Sequence, residues 1–177
     1  MNEIDKIKQQ YLNDIGITRN ENEMEEIEWL LLSRQKKLSE DFIRIFKDKV
    51  TWEYVSKEQI LSEDFIQEFA DKVDWVAISS YQSLSEQFII KNKDKVKWYF
   101  ISKNQNLSDN FLIEYKKNID WNWYFYNQEA SYPIIQKFIL KSTFKSLGDF
   151  KTSHLTKLEK QNVEKLFKLN TLFKNEK

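Results

Sequence analysis

The side chains best suited to catalysis or metal binding are scarce in this chain and stand far apart. His154 is the only histidine, and the 177 residues include no cysteine. Multi-histidine and thiolate metal sites are therefore excluded within one chain. Gly16 and Gly148 each stand alone, which excludes a glycine-rich phosphate-binding loop. We predict a protein that is not an enzyme and has no catalytic residue, metal site or cofactor, with His154 solvated or capping a helix.

Acidic side chains are abundant, but they recur at positions that suggest structural roles. One recurring position holds Glu40, Glu63 and Glu86, and another, beside lysines, holds Asp48, Asp71 and Asp94. Carboxylates in the first turn of a helix interact favourably with its dipole, so we expect the glutamates to stabilise helix starts. The aspartates are expected to lie on a solvated face. Neither set predicts catalysis.

Aromatic side chains offer a different chemistry, the binding of another macromolecule. Six aromatic residues and two lysines fall at positions expected to point away from the core: Tyr54, Lys57, Tyr81, Tyr99, Phe100, Lys103, Trp123 and Tyr126. Large aromatic groups among polar ones are typical of protein-binding hot spots. We predict that these residues bind another protein. The alternative is that the C-terminal helix, or the curvature of the array, covers much of this surface.

A tandem repeat underlies these positions. The tryptophans at its centre are 23 residues apart throughout: Trp29, Trp52, Trp75, Trp98 and Trp121. Leucine, serine, phenylalanine and glutamine columns keep the same period, and Leu38–Ile60 shares 13 of 23 positions with Leu61–Ser83. Side chains that recur in every unit of a repeat are expected to form the core between units.

Each 23-residue unit is predicted to be a pair of helices. Ser39 is placed to cap a first helix of about 11 residues that reaches Val50, and a second, shorter helix begins near Thr51 with Trp52 in its first turn. At 100° per residue, the tryptophan and the residues three, four and seven positions later share one face of the second helix. The residues one, two, five and six positions later point outward.

Two polar columns have expected structural roles in this arrangement. The serine four residues after each tryptophan, such as Ser56, either permits close helix approach or caps the short helix. The glutamine seven residues after it, such as Gln59, is expected either to bond exposed carbonyl groups between successive turns or to be solvated.

The predicted fold is all-α, a solenoid of 23-residue helical-hairpin repeats with atypical helical caps in one continuous domain. An N-terminal cap spans 1–28, regular repeats span 29–129, and a degenerate repeat with a C-terminal cap spans 130–177. Ser131 and Phe138 keep their columns in the degenerate repeat, and Phe144 takes the tryptophan position. A terminal amphipathic helix is predicted over Thr156–Phe173.

The motif Trp-x-x-(Ile/Val)-Ser-x-x-Gln-x-Leu-Ser-Glu-x-Phe-Ile resembles a short tandem repeat in proteins of bacteriophages, mobile elements and giant DNA viruses. It covers about residues 29–129, and one unit matches it at Trp52, Ser56, Gln59, Leu61, Ser62, Glu63, Phe65 and Ile66. The chain departs from the pattern at Phe125, where serine is expected, and throughout 130–177. The resemblance implies a virus- or mobile-element-encoded protein that binds and inhibits a host protein, such as an antiviral defence component (an anti-CRISPR-type role).

Charge separates the classes of partner. Lysine and arginine total 28, as do aspartate and glutamate, whereas a nucleic-acid-binding repeat protein needs a basic stripe. Nucleic acid is therefore a disfavoured partner and remains an alternative. Residues 1–28 carry eight acids and three bases, and residues 151–177 carry seven lysines and three glutamates. These oppositely charged ends are either both solvated or bind each other between copies of the chain. The second alternative function is therefore a protein that self-associates through its ends, or a homodimer.

Hydropathy bears on location. No apolar run approaches the roughly 20 residues of a membrane helix, and the first residues lack the apolar core of a signal peptide. We expect no membrane partner and a cytoplasmic location, which is the host cytoplasm if the protein is viral.

Overall fold

The computed structural model describes residues 3–35, 37–144 and 146–175, with side chains up to residue 169. All regular structure in these residues is helical, which confirms the predicted all-α class. The chain packs into two compact units, Met1–Gln82 and Ser83–Lys177. The prediction of one continuous domain stays a prediction.

The first unit contains helices α1 to α6. Their bounds are Glu3–Asp14, Glu26–Arg34, Glu40–Ile45, Trp52–Glu58, Glu63–Glu68 and Trp75–Tyr81, with a 3₁₀ turn at Glu21–Glu23. Helices α2, α4 and α6, which carry the repeated tryptophans, pack side by side in sequence order.

The second unit contains helices α7 to α12. Their bounds are Glu86–Lys91, Trp98–Asn104, Asp109–Glu114, Trp121–Asn127, Tyr132–Phe138 and Lys157–Asn175, with 3₁₀ turns at Ile139–Lys141 and Leu147–Asp149. Helix α8 packs against α10, and α12 packs against α11 and both turns.

The repeated Leu-Ser motif starts a helix in each unit of the repeat, as predicted. The Ser39 hydroxyl accepts a hydrogen bond from the Phe42 amide at 3.1 Å, and the same bond recurs at Ser62, Ser85, Ser108 and Ser131. Such caps satisfy backbone N–H groups that a helix start would leave without partners.

The first helix of each pair is shorter than predicted, with six residues rather than about 11. Helix α3 ends at Ile45, and the carbonyl of the next residue, Phe46, accepts hydrogen bonds from the amides of Lys49 and Val50 in a tight turn. The apolar spacing missed this break because a helix and a short helix followed by a turn both bring Phe42, Phe46 and Val50 to the buried side. The second helix, with seven residues, is the longer one.

Four of the repeated tryptophans pack on an aromatic residue 17 positions later, as in the ring pairs Trp52–Phe69 and Trp121–Phe138, whose centroids lie 5.0 and 4.2 Å apart. The residue 17 positions after Trp75 is Asn92. Trp29 and Trp121 are buried, whereas Trp52, Trp75 and Trp98 are half-buried, so these three lie at the edge of the core that the repeated side chains were expected to form. The indole N–H of Trp52 donates to the Lys47 carbonyl, five residues earlier, and Trp75, Trp98 and Trp121 do the same.

The polar columns join consecutive units of the repeat. The Ser56 hydroxyl donates a hydrogen bond to the Trp52 carbonyl at 2.7 Å. The same hydroxyl accepts a hydrogen bond at 2.9 Å from the backbone amide of Asp74, which caps the next tryptophan helix. The Gln59 side chain accepts the Leu38 amide and donates to the carbonyls of Ser33 and Gln35. The expected glutamine bonds to exposed carbonyl groups are confirmed, and the serine acts through hydrogen bonding to the next helix start.

The degenerate C-terminal repeat keeps its first helix, α11, which begins after Ser131 with Pro133 in its first turn. Phe144, which takes the tryptophan position in the alignment, does not lie in a helix, and its ring stacks on Phe150 at 5.8 Å. Helix α12 matches the predicted terminal helix and buries Val163 and Phe167.

Candidate protein-binding surface

In the second compact unit, the predicted outward residues lie on two short helices, each of which buries its opposite face. Helices α8 and α10 bury the residues three and four positions after the tryptophan, as Ile101 and Ser102 illustrate. Because the helical period separates these from the residues one, two and five positions after the tryptophan, the latter are turned towards solvent.

These outward residues form a connected group of rings, which we call the aromatic patch: Tyr99, Phe100, Trp123 and Tyr126. The Tyr99 ring lies 4.8 Å from Phe100 and 5.2 Å from Trp123, both in edge-to-face geometry. Tyr126 lies 6.1 Å from Trp123, also edge-to-face. Such geometry is favourable for aromatic rings and holds each ring against its neighbours.

Exposure differs within the aromatic patch. Tyr126 and Tyr99 are 59% and 38% exposed, while Phe100 and Trp123 are half-buried and support them. Trp123, Tyr126, Asn122 and Phe144 line a cleft of about 220 Å³ beside the patch. Helix α12 packs elsewhere, on α11, so the alternative that the C-terminal helix covers this surface does not apply to Tyr126.

Lys103 lies beside the aromatic patch. Its ammonium group lies 4.9 Å from the centre of the Trp123 ring, within the range of a cation–π contact. Lys103 is also the only charged side chain in α8, and α10 has none. The two helices therefore present aromatic rings, amides and one cation, without a carboxylate.

In the first compact unit, the residues predicted to bind a partner belong to two separate pairs of an aromatic ring and a cation. Arg34 lies 5.3 Å from the Tyr54 ring centre, and Lys57 lies 5.5 Å from that of Tyr81. Tyr81 is 61% exposed and Tyr54 is half-buried. Each cation comes from the preceding tryptophan helix, so these contacts also tie neighbouring units of the repeat together.

Sequence reasoning missed Arg34 and Phe144 as members of these surfaces. Arg34 occupies an outward position five residues after Trp29, so the repeat alignment contained a signal for it. Phe144 had no such signal, because its position beside Trp123 and Tyr126 depends on the irregular path after α11.

The side chains considered for catalysis make structural contacts. A ring nitrogen of the exposed His154 lies 2.7 Å from the Ala130 carbonyl. Glu40 accepts the Ser62 amide at 2.6 Å, and Glu86 accepts the Ser108 amide and hydroxyl. These two glutamates therefore bond to the start of the next unit's first helix.

The pKa shifts in these surroundings follow local hydrogen bonds. The Glu25 backbone amide and the Arg19 side chain lower the pKa of the half-buried Glu28 carboxyl. The Thr156 hydroxyl and amide do the same for Glu159, with a smaller contribution from His154. Both carboxylates make capping contacts, so their shifts reflect helix starts.

Comparison with known proteins does not assign the chain to a class. No protein-family model matches it, and no curated protein or solved structure shows significant similarity to it. Within the described part of the chain, no helix combines the length and apolar character needed to cross a membrane.

Proposed function

We propose that this chain is a non-enzymatic helical-repeat protein of solenoid type that binds another protein through the aromatic patch and Lys103. The observation that carries the proposal is the linked group of partly exposed rings on α8 and α10, next to a cleft and without a carboxylate on either helix. Aromatic anchors beside a small apolar cleft are typical of binding hot spots.

The half-buried rings support this proposal in a second way. Tyr99 and Tyr126 are braced by Trp123, so little side-chain freedom remains to be lost when a partner covers them. Preorganised side chains of this kind bind more tightly than free ones because association costs less entropy.

The partner is proposed to be a host protein that the chain inhibits, such as a component of antiviral defence, in the host cytoplasm. This part rests on the resemblance of the repeat motif to phage, mobile-element and giant-virus proteins. The aromatic patch suits such a role because covering a partner's surface requires no catalytic group.

The test compares the unaltered chain with the double variant Tyr99→Ala, Tyr126→Ala. Both side chains are exposed, so the variant is expected to remain folded. A protein captured from a host lysate by the unaltered chain is purified, and its dissociation constant is measured for each form by calorimetry. We expect affinity to fall at least about 30-fold, the loss of a 2 kcal/mol hot spot.

The matched control is Ile113→Ala, which removes an exposed apolar side chain from α9, in the same compact unit as the aromatic patch. This variant should keep the affinity of the unaltered chain. Equal binding by the tyrosine double variant would remove the aromatic patch from the proposal. Capture that disappears on nuclease treatment would instead support nucleic-acid binding.

A further inference from the structure

The glutamine bonds between units of the repeat are incomplete in the last regular unit. Leu38, Leu61 and Leu84 each donate their backbone N–H to the side-chain oxygen of a glutamine 21 residues later. The corresponding bond from Leu107 to Gln128 is missing, and within the described residues the Leu107 N–H has no partner. Gln128 keeps one bond, from its amide to the Lys103 carbonyl, and is half-buried, whereas the three other glutamines are buried.

A polar cleft of about 390 Å³ opens at this place. Leu107, Gln128 and Tyr124 contribute to its lining, together with the carboxylates Asp109 and Glu129. Tyr124 stands where the other units have Val55, Ile78 and Ile101. A larger, polar side chain thus occupies the column where the bond to Gln128 is lost.

The Tyr124 hydroxyl is a polar group without a hydrogen-bond partner in the described residues, on a side chain that is only 4% exposed. Burial, and secondarily the Asp109 carboxylate, raise the pKa of Tyr124 to about 12. The hydroxyl therefore stays protonated near neutral pH and can donate or accept a hydrogen bond beside Asp109. Because Tyr124 lines the cleft, a ligand there can form a hydrogen bond with this hydroxyl that no described residue supplies.

The remaining groups indicate the chemistry of a ligand. Asp109 accepts the Ser131 hydroxyl at 2.6 Å and Glu129 accepts the Ser153 hydroxyl at 3.2 Å, which leaves further acceptor capacity on both carboxylates. Lys151 is the one cation among the lining residues. The lining therefore carries two negative charges and one positive charge.

We propose that this cleft is a second binding site, which takes an arginine-containing peptide segment of a partner protein. The carbonyl oxygen of a peptide group can accept a hydrogen bond from the Leu107 N–H, and the peptide N–H can donate one to the Gln128 side-chain oxygen. These two bonds replace the direct leucine–glutamine bond of the other repeats. The guanidinium group, with five donors and a permanent charge, suits Asp109, Glu129 and the Tyr124 oxygen. This site is distinct from the aromatic patch and goes beyond the function proposed for it.

The experiment is an amide NMR titration of the full chain with N-acetyl-arginine methylamide. We expect saturable shifts at the Leu107 backbone amide and at the Gln128 side-chain amide. The same titration with the neutral isostere N-acetyl-citrulline methylamide should show binding at least about tenfold weaker, because charge-assisted hydrogen bonds are lost. Equal affinities for the two probes would overturn the assignment to arginine.

Two variants separate this site from the aromatic patch. Tyr124→Ile restores the residue type of the other units and should abolish the shifts at Leu107 and Gln128. Tyr126→Ala alters only the aromatic patch and should leave them unchanged. Absence of saturable shifts at Leu107 and Gln128 in the unaltered chain would overturn the proposal, as would shifts that vanish in Tyr126→Ala. Neither result would affect the test of the aromatic patch with its protein partner.

Discussion

At the scale of single residues, the serine four positions after each tryptophan links one unit of the repeat to the next. Ser56 is fully buried and makes two bonds, one of them to the amide that precedes α6. We predict that Ser56→Ala lowers the free energy of unfolding by about 1–3 kcal/mol, because it leaves the Asp74 amide without its partner. Urea denaturation measures this cost.

Ser83→Ala is the control for this substitution. Ser83 is exposed and makes no side-chain hydrogen bond within the described residues, so its replacement should change stability by less than about 0.5 kcal/mol. If both variants lowered the free energy of unfolding by a similar amount, the hydrogen bonds of Ser56 would contribute nothing specific to stability.

At the scale of helices, the aromatic contacts of the tryptophans are unequal although their spacing is uniform. Trp121 is buried and stacks on Phe138 at 4.2 Å, while Trp98 is half-buried and lies 5.8 Å from Tyr115. We predict that Trp121→Ala costs about 3–5 kcal/mol and that Trp98→Ala costs less. Thermal and urea denaturation of both variants compare the two, and a larger loss for Trp98→Ala would contradict the packing described.

At the scale of the whole molecule, opposite charges near the two ends raise the question of self-association. Because the proposed function needs a different protein as partner, we predict that the mass measured by sedimentation does not keep growing with concentration. A mass that rises steadily and falls on addition of salt would instead support end-to-end association, since head-to-tail contacts that form no closed ring keep adding copies and salt screens exposed charge pairs.

The sequence by itself determined the repeat, the all-α class and the cap residues. A 23-residue period and the Leu-Ser-Glu motif act through local hydrogen bonds and helical periodicity, which require no knowledge of distant contacts. It also identified Tyr99, Phe100, Lys103, Trp123 and Tyr126 as outward residues, because their direction follows from the helical angle alone.

The tertiary structure alone decided how deeply each tryptophan is buried, where the first helix of each pair stops and where the polar cleft opens. Trp52 and Trp121 share one sequence position, but the first is half-buried at the rim and the second is covered by its neighbours. Tyr124 occupies an aliphatic column, and the accompanying loss of the Leu107–Gln128 bond depends on how two consecutive units pack. Burial and hydrogen bonding between units are properties of neighbours brought together in space, so the pattern within one unit cannot specify them.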